Sequence, residues 1–239
     1  MELPSERHAP GARKHYDAAY FAWQGEIGRF AAKANRFKFE RFIRSSDRVL
    51  DFGCGGGFLV AGLSCAERMG IEVNPSAREE AAKNGVVAVA STDEVPDNWA
   101  NVIISNSCLE HCEAPLWELR RLLPKLKTGG RLVLVVPHET IQWGYARNDI
   151  NQHLYTWSPM ALGNLVEKAG YRVDSVSASL LVWPPRVYQF IAALCGHAGL
   201  RFASRAYRAL RSVLSPIIPL DADGAVIVVA MRPHHHELA

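Results

Sequence analysis

The sequence predicts an α/β fold: a doubly wound, mostly parallel sheet of seven strands with helices on both faces, an antiparallel last strand, and a helical insertion before that strand. Short apolar segments alternate with segments of helical periodicity, which is typical of parallel strands joined by crossover helices. A glycine cluster occupies the turn after the first of these strands. The length of 239 residues suits one such domain with an insertion.

The first predicted element is a helix over residues 17–44, because apolar residues recur at helical spacing from Ile27 to Phe37 among basic side chains. Residues 48–52 then form a short, largely apolar segment that predicts a buried strand. The glycine cluster follows this strand directly, so the chain turns there into the next helix.

Strand and helix alternate through the middle of the chain. A second strand is predicted over residues 69–73, and Asn74 and Pro75 follow it as an N-cap and a proline at the first helical position. Short apolar segments predict the third and fourth strands over residues 86–90 and 102–104.

The second half repeats the pattern. A helix with a leucine face is predicted to begin at Pro115 and to end at Gly129, and a second helix begins at Pro159. Residues 132–136 are apolar on both faces, as expected of a central strand. The last two strands are predicted over 171–177 and 225–231.

The chain is predicted to divide into four segments. They are an N-terminal helical segment (1–44), the α/β core (45–183), a basic amphipathic helical insertion (184–219), and the last strand with its tail (220–239).

The composition excludes several classes of protein. Apolar residues make up 49% of the chain and charged residues 21%, which excludes wholesale disorder. The formal net charge of +3 is too small to indicate nucleic-acid binding over the whole chain. The polar N-terminus lacks the apolar segment of a signal peptide, and the longest uncharged apolar run, residues 187–200, is too short to span a bilayer.

The cysteines and the C-terminal histidines predict no metal site. Five scattered cysteines include no C-x-x-C pair, so neither zinc nor a disulfide framework is expected. His234, His235 and His236 are interpreted as part of a mobile tail. A reducing, cytoplasmic compartment is therefore predicted.

The glycine cluster and a later carboxylate predict a site for a nucleoside-containing cofactor. Glycines at 53, 55 and 57 allow the backbone to turn tightly and to approach a ligand closely. Glu72 lies nineteen positions after Gly53, near the end of the next strand, where a carboxylate can accept both hydroxyls of a ribose. A dinucleotide fingerprint would require glycine where Phe58 stands, which counts against a nicotinamide-dependent oxidoreductase.

The loop sequence D-x-G-x-G-x-G resembles motif I of the class I S-adenosylmethionine-dependent methyltransferases, and residues 71–74, 91–96, 102–111 and 123–137 resemble later segments of that superfamily. Residues 151–158 are similar to a stretch of small-molecule O-methyltransferases of the methyltransferase type 11 and ubiquinone-pathway group. The resemblance implies S-adenosylmethionine as cofactor. Its implied contacts are Asp51, Gly53, Cys54, Gly55, Gly57, Glu72, Val73, Ser91, Thr92, Asn106 and Ser107.

The resemblance implies methyl transfer to a small-molecule acceptor, with an oxygen atom favoured as nucleophile. The turn after strand four lacks the N-P-P-Y type of sequence found in base-modifying relatives, which counts against nucleic-acid substrates. A hydroxyl acceptor needs a general base, and His153, His138 and His111 are the candidates. A structural role is an open alternative for each histidine. A methyltransferase-like binding module without catalysis is the alternative for the whole chain.

Substrate contacts are predicted from the aromatic residues and the insertion. The N-terminal helical segment lies where relatives carry a lid over the cofactor. The arginine face of the insertion has three interpretations: a solvated cap over the cleft, peripheral contact with an anionic membrane bearing a lipid-linked substrate, or a pocket for a phosphorylated substrate. A dimer surface is a further alternative, so monomer and homodimer both stay open. The candidate substrate contacts are Tyr20, Trp23, Tyr155 and Arg186.

Overall fold

The computed structural model confirms the predicted α/β fold with a seven-stranded sheet. It describes residues 28–29, 32–33, 35–139, 144–145, 147, 149, 151–180 and 224–234. The helices are α1 (Phe37–Glu40), α2 (Phe58–Ala61), α3 (Pro75–Lys83), α4 (Pro115–Leu122) and α5 (Pro159–Lys168), and the strands are β1 (Arg48–Phe52), β2 (Glu67–Ile71), β3 (Val87–Val89), β4 (Ala100–Asn106), β5 (Leu126–His138), β6 (Arg172–Leu180) and β7 (Gly224–Met231).

The strand order is β3-β2-β1-β4-β5-β7-β6. The pairs β1–β2, β2–β3 and β4–β5 are parallel. Strand β7 runs antiparallel to both β5 and β6. The predictions of a mostly parallel sheet and of an antiparallel last strand are therefore confirmed.

The chain divides into two compact units, residues 1–96 and 97–239. In the first unit, β1 is buried from Val49 to Phe52. In the second unit, β5 and β7 supply the centre of the core, because residues 132–136 and 225–230 are buried. Both segments are apolar along their whole length, which is the pattern of strands covered on two faces.

Several predicted boundaries were wrong: β5 begins at Leu126 rather than at Leu132, β4 is longer than predicted, and the helix predicted to reach residue 44 ends at Glu40. The leucine-faced helix α4 ends at Leu122 rather than at Gly129, because Pro124 in the following 3₁₀ turn has no N–H group to continue the helical ladder. Strand β2 ends at Ile71, two residues earlier than predicted, and leaves Glu72 in the turn after the strand. Gly129 instead lies within β5, where its N–H donates to the carbonyl of Arg232 at 2.9 Å.

Several predictions fall outside the described residues. They concern half of the helix over 17–44 and the whole insertion over 184–219, and the predicted segment boundaries accordingly stay predictions. Within the part of the chain that the structure describes, no helix is both long enough and apolar enough to cross a lipid bilayer.

Candidate functional site

The glycine loop of the first unit follows β1. Gly53, Gly55 and Gly57 have φ angles of 75°, 52° and 73°, a left-handed conformation that favours glycine. The N–H of Gly53 donates to the carbonyl of Ile71 at 2.9 Å, which ties the loop to the end of β2. An ideal Cβ added to Gly55 would meet no atom within 4 Å, so the loop has open space on that side for a ligand to approach its backbone.

Glu72 faces this loop from the turn after β2. Its Oε2 atom accepts a hydrogen bond from the Gly55 N–H at 2.9 Å, and its Oε1 atom accepts one from the Asn74 N–H at 2.8 Å. A carboxylate has about four lone-pair positions, so about two are left for further donors. A ribose presents two neighbouring hydroxyl donors, and the site therefore fits the sugar of a nucleoside cofactor.

The turn that holds Glu72 is fixed from α3. The Oδ1 atom of Asn74 accepts from the N–H of Ser76 at 2.9 Å, as the predicted N-cap requires. One guanidinium nitrogen of Arg78 donates to the carbonyls of Glu72 and Val73 at 2.7 and 2.9 Å. Arg78 was not predicted, because it carries no motif signal in a single sequence. The Val73 side chain is exposed.

Asp51 is buried on β1, and desolvation raises the pKa of its carboxyl to about 7, with a further contribution from the negative charge of Glu72. Burial also raises the pKa of Glu72, although the Asn74 and Gly55 amides oppose that rise. The same burial raises the pKa of the Cys54 thiol, which packs against Gly70 and is therefore unreactive at neutral pH.

Asp51 should make the stability of the chain depend on pH. From about pH 4 to about pH 7 the folded chain holds a proton that the unfolded chain releases, because the ordinary aspartate pKa is 3.8. The free energy of unfolding therefore falls as pH rises through this range, by about 4 kcal/mol from this group alone. Urea unfolding of the wild-type chain and Asp51→Asn at several pH values tests this expectation. The variant should lose that part of the slope, and an identical slope in both chains would contradict the assignment.

Ser91 and Thr92, predicted beside the adenine, lie in a 3₁₀ turn after β3. The Ser91 hydroxyl accepts from the Asp93 N–H at 3.3 Å, and the Glu94 carboxylate accepts from the Ser91 N–H at 2.9 Å, so Ser91 caps this turn. Thr92 is buried, and its hydroxyl has no hydrogen-bond partner among the described residues. A buried hydroxyl without a partner suits contact with a ligand edge that has hydrogen-bonding groups.

In the second unit, the end of β4 carries Asn106 and Ser107. The Oδ1 atom of Asn106 is buried and makes no hydrogen bond within the described part of the chain. Ser107 has a φ of 54°, which is uncommon outside glycine, and its N–H donates to the carbonyl of Val135 at 2.8 Å. These features suit a polar ligand contact at Asn106 and a strained turn held by β5.

Hydrogen bonds tie the loop of residues 151–158 to the ends of β4 and β5. The N–H of Leu154 donates to the Glu110 carbonyl at 2.9 Å, and the Tyr155 hydroxyl donates to the Glu113 carbonyl at 3.0 Å. The N–H of Glu139 donates to the Thr156 hydroxyl at 2.9 Å, and His138 Nδ1 lies 2.8 Å from the Trp157 carbonyl oxygen. Tyr155 also stacks on Trp157, with 5.5 Å between ring centroids.

The same loop brings His153 into a cluster with Glu110 and His111, which lie in the 3₁₀ turn after β4, and with Glu139, which follows β5. Nδ1 of His153 lies 2.5 Å from Oε1 of Glu139, and its ring contacts the His111 ring edge-on, with centroids 4.8 Å apart. Glu110 is fully buried beside them, and burial raises the pKa of its carboxyl to about 8, with a smaller contribution from the charge of Glu139. Two of the predicted histidines therefore lie together, whereas His138 bonds to the Trp157 backbone.

Glu110 and Glu139 were not predicted as site residues, although both stand next to predicted histidines. The sequence features that could have indicated them are the L-E-H stretch and the H-E pair at the end of β5. The predicted substrate contacts Tyr20, Trp23 and Arg186 lie outside the described residues.

A doubly wound sheet with a left-handed glycine loop and a carboxylate after the second strand defines a class of proteins that bind nucleoside cofactors. A family described as "Methyltransferase domain" matches residues 20–176, and the chain belongs to that family. It is a member of the class I S-adenosylmethionine-dependent methyltransferase superfamily, whose cofactor is S-adenosylmethionine.

One curated relative is the ribosomal protein L11 methyltransferase of Ralstonia pickettii (strain 12J). It is 30% identical over 104 residues, which are 40% of this chain and 34% of that relative. The chain thus matches about a third of the length of the curated relative.

Solved structures share the fold. A methyltransferase from Haloferax volcanii in complex with the Trm112 methyltransferase activator has a TM-score of 0.64 and 16% identity, covering 94% of this chain and 99% of that one. A phosphoethanolamine N-methyltransferase 2 from Haemonchus contortus, in complex with S-adenosylmethionine, has a TM-score of 0.56 and 14% identity, covering 84% of this chain and 52% of that one.

Proposed function

We propose that this chain transfers the methyl group of S-adenosylmethionine to an oxygen atom of a small-molecule acceptor. The observation that carries the proposal is the His153–Glu139 pair, an imidazole whose Nδ1 atom is held by a carboxylate at 2.5 Å. Such a pair leaves the other ring nitrogen oriented to accept a proton. A hydroxyl acceptor must lose its proton on methylation, whereas a nucleophile that carries no proton needs no base.

The first unit supplies the groups that hold the cofactor. The backbone of Gly53, Gly55 and Gly57 allows close approach of the amino-acid part, and Glu72 accepts the ribose hydroxyls. The Thr92 hydroxyl is available to the adenine edge, and Asp51 orders the loop from beneath. When bound, S-adenosylmethionine supplies a methyl group already activated on a sulfonium.

The second unit supplies the groups for the acceptor. Bound S-adenosylmethionine would supply the methyl group to the acceptor oxygen and leave as S-adenosylhomocysteine, and the other ring nitrogen of His153 would take the hydroxyl proton. Glu139 stabilises the imidazolium that results, because its carboxylate already contacts Nδ1. The exposed Tyr155 ring, which stacks on the buried Trp157, offers a flat surface against which an organic acceptor can pack.

A nitrogen acceptor is the nearest alternative to an oxygen acceptor, since two of the similar proteins are an N-methyltransferase and a ribosomal protein methyltransferase. Contact with an anionic membrane or a phosphorylated substrate depends on residues 184–219, which lie outside the described residues, and the cytoplasmic location and the oligomeric state stay predictions.

The test is a calorimetric titration followed by an acceptor screen. The purified chain should bind S-adenosylmethionine and S-adenosylhomocysteine at micromolar concentration, with heat from neither NAD nor NADP. A screen of phenols, catechols, hydroxy acids and amines should then give S-adenosylhomocysteine with at least one hydroxyl compound. Turnover with amines alone would replace the oxygen proposal by nitrogen transfer. Cofactor binding without turnover on any class would favour the non-catalytic module.

A further inference from the structure

The strongest unexplained feature of the chain is the carboxyl group of Glu110. The side chain is fully buried, and neither of its oxygens has a hydrogen-bond partner among the described residues. Nε2 of His111 lies 4.0 Å from Oε1 of Glu110, beyond hydrogen-bonding distance. Neutral or ionised, a buried carboxyl is stabilised by a hydrogen-bonding or metal partner, so the Glu110 oxygens are suited to bind a ligand.

The atoms around Glu110 have the composition of a metal site. Glu110, His111 and His153 each offer one ligand atom, and the three atoms lie within 4.8 Å of one another. Two imidazoles and one carboxylate are the donors that Zn²⁺ and other first-row divalent ions prefer. Ligands of a tetrahedral zinc ion are about 3.4 Å apart, so the three side chains need to close by about 1 Å on binding.

The contact of His153 with Glu139 adds an independent observation. Metal-bound histidines almost always donate their other ring N–H to a carboxylate or a carbonyl, which fixes the ring and raises its basicity. Nδ1 of His153 lies 2.5 Å from Oε1 of Glu139, so Nε2 is the nitrogen left for an ion. The Leu154 N–H donates to the Glu110 carbonyl at 2.9 Å, so a backbone hydrogen bond holds the loop that carries His153 beside Glu110.

We propose that Glu110, His111 and His153 bind one divalent transition-metal ion, with Zn²⁺ or Mn²⁺ as the fitting ions and Glu139 as the residue that positions His153. Three protein ligands leave at least one coordination position open for an oxygen ligand. Binding of the ion does not depend on the proposed function. Occupation of the open position by a methyl acceptor rests on the proposed function. In that case Nε2 of His153 would be a ligand of the ion and not the proton acceptor, and the ion would lower the pKa of the acceptor hydroxyl, so that its proton would leave to water.

Metal binding is tested by calorimetry on the full chain without a polyhistidine tag. Because His234, His235 and His236 can bind metal by themselves, all variants are made in a chain with these three residues replaced by alanine. The protein is stripped with EDTA, and ZnCl2, MnCl2 and MgCl2 are titrated in the absence of cofactor and acceptor. We expect one equivalent of Zn²⁺ or Mn²⁺ to bind, with Mg²⁺ much weaker because two of the three ligands are imidazoles.

Three variants separate the roles. Glu110→Gln, which keeps the size of the side chain, and His153→Ala should each weaken binding by about 100-fold or more. Glu139→Gln, which changes only the positioning carboxylate, should weaken it by about 10-fold. Absorption of bound Co²⁺ in the visible range should change in all three, and thermal melting of the stripped proteins controls for folding.

The proposal is overturned by any of three results. The first is a dissociation constant for Zn²⁺ and for Mn²⁺ no lower than about 1 mM, because free imidazole and free carboxylate already bind these ions with such constants. Wild-type affinity in Glu110→Gln and His153→Ala is another. Loss of all binding when only the three tail histidines are replaced is the third. Failure of the acceptor screen leaves each of these results unchanged, so the two proposals fail separately.

Discussion

Replacement of Glu72 by alanine is expected to weaken the binding of S-adenosylmethionine by roughly ten- to a hundredfold. The loss follows from the charged hydrogen bonds to the two ribose hydroxyls, whose combined net contribution is taken as about 1.5–3 kcal/mol because water replaces part of them in the variant. Both oxygens already accept backbone bonds, from Gly55 at 2.9 Å and Asn74 at 2.8 Å, and their remaining lone pairs are the ones offered to the ribose.

Calorimetric titration with S-adenosylmethionine and S-adenosylhomocysteine measures the effect. Both ligands contain the ribose, so both should lose affinity equally, whereas a contact to the methyl group would separate them. Glu79→Ala is the matched control, because that glutamate is exposed on α3, seven positions further along the chain. Unchanged affinity in Glu72→Ala would end the ribose assignment. Because the variant also leaves the Gly55 and Asn74 amides without their acceptor, its melting temperature is measured in parallel.

The features that could be predicted from sequence are the local ones. The glycine loop is a short segment whose left-handed φ values at Gly53, Gly55 and Gly57 are required by its own tight turn. The Asn74 cap follows the same rule, because a side-chain oxygen two residues from its N–H partner can be recognised without any tertiary contact. The central position of β5 in the sheet could be predicted for a similar reason, because strands covered on both faces are apolar throughout.

The features that could not be predicted are those that depend on long-range packing. Glu139 and His153 are fourteen positions apart and meet only because the 151–158 loop bonds to the ends of β4 and β5. Glu110 stands 43 positions before His153, and nothing in the L-E-H stretch shows that its carboxyl is buried and makes no hydrogen bond to another described residue. The predicted end of α4 was wrong for a local reason, because the prediction gave more weight to Gly129–Gly130 than to Pro124.

Replacement of His153 by alanine is expected to lower turnover by about 10²- to 10⁴-fold while the affinity for S-adenosylmethionine stays at the wild-type value. The expectation follows from the contacts of His153, which lie with Glu139 and His111 of the second unit. Turnover is measured as S-adenosylhomocysteine formed with the hydroxyl acceptor found in the screen. His234→Ala is the matched control, because that histidine lies next to Gly129, toward the other end of β5 from His138.

Two further measurements decide how His153 acts. If the histidine accepts the proton directly, wild-type turnover is unaffected by EDTA, and Glu139→Gln lowers kcat because the imidazolium loses its partner. If it acts through an ion held with Glu110 and His111, EDTA removes turnover from the wild type, added Zn²⁺ or Mn²⁺ restores it, and His153→Ala is not restored by either. A His153→Ala chain that turns over at the wild-type rate would contradict both mechanisms, and the contact with Glu139 would then serve only to hold the 151–158 loop. A parallel loss of cofactor affinity would instead place His153 among the residues that bind S-adenosylmethionine.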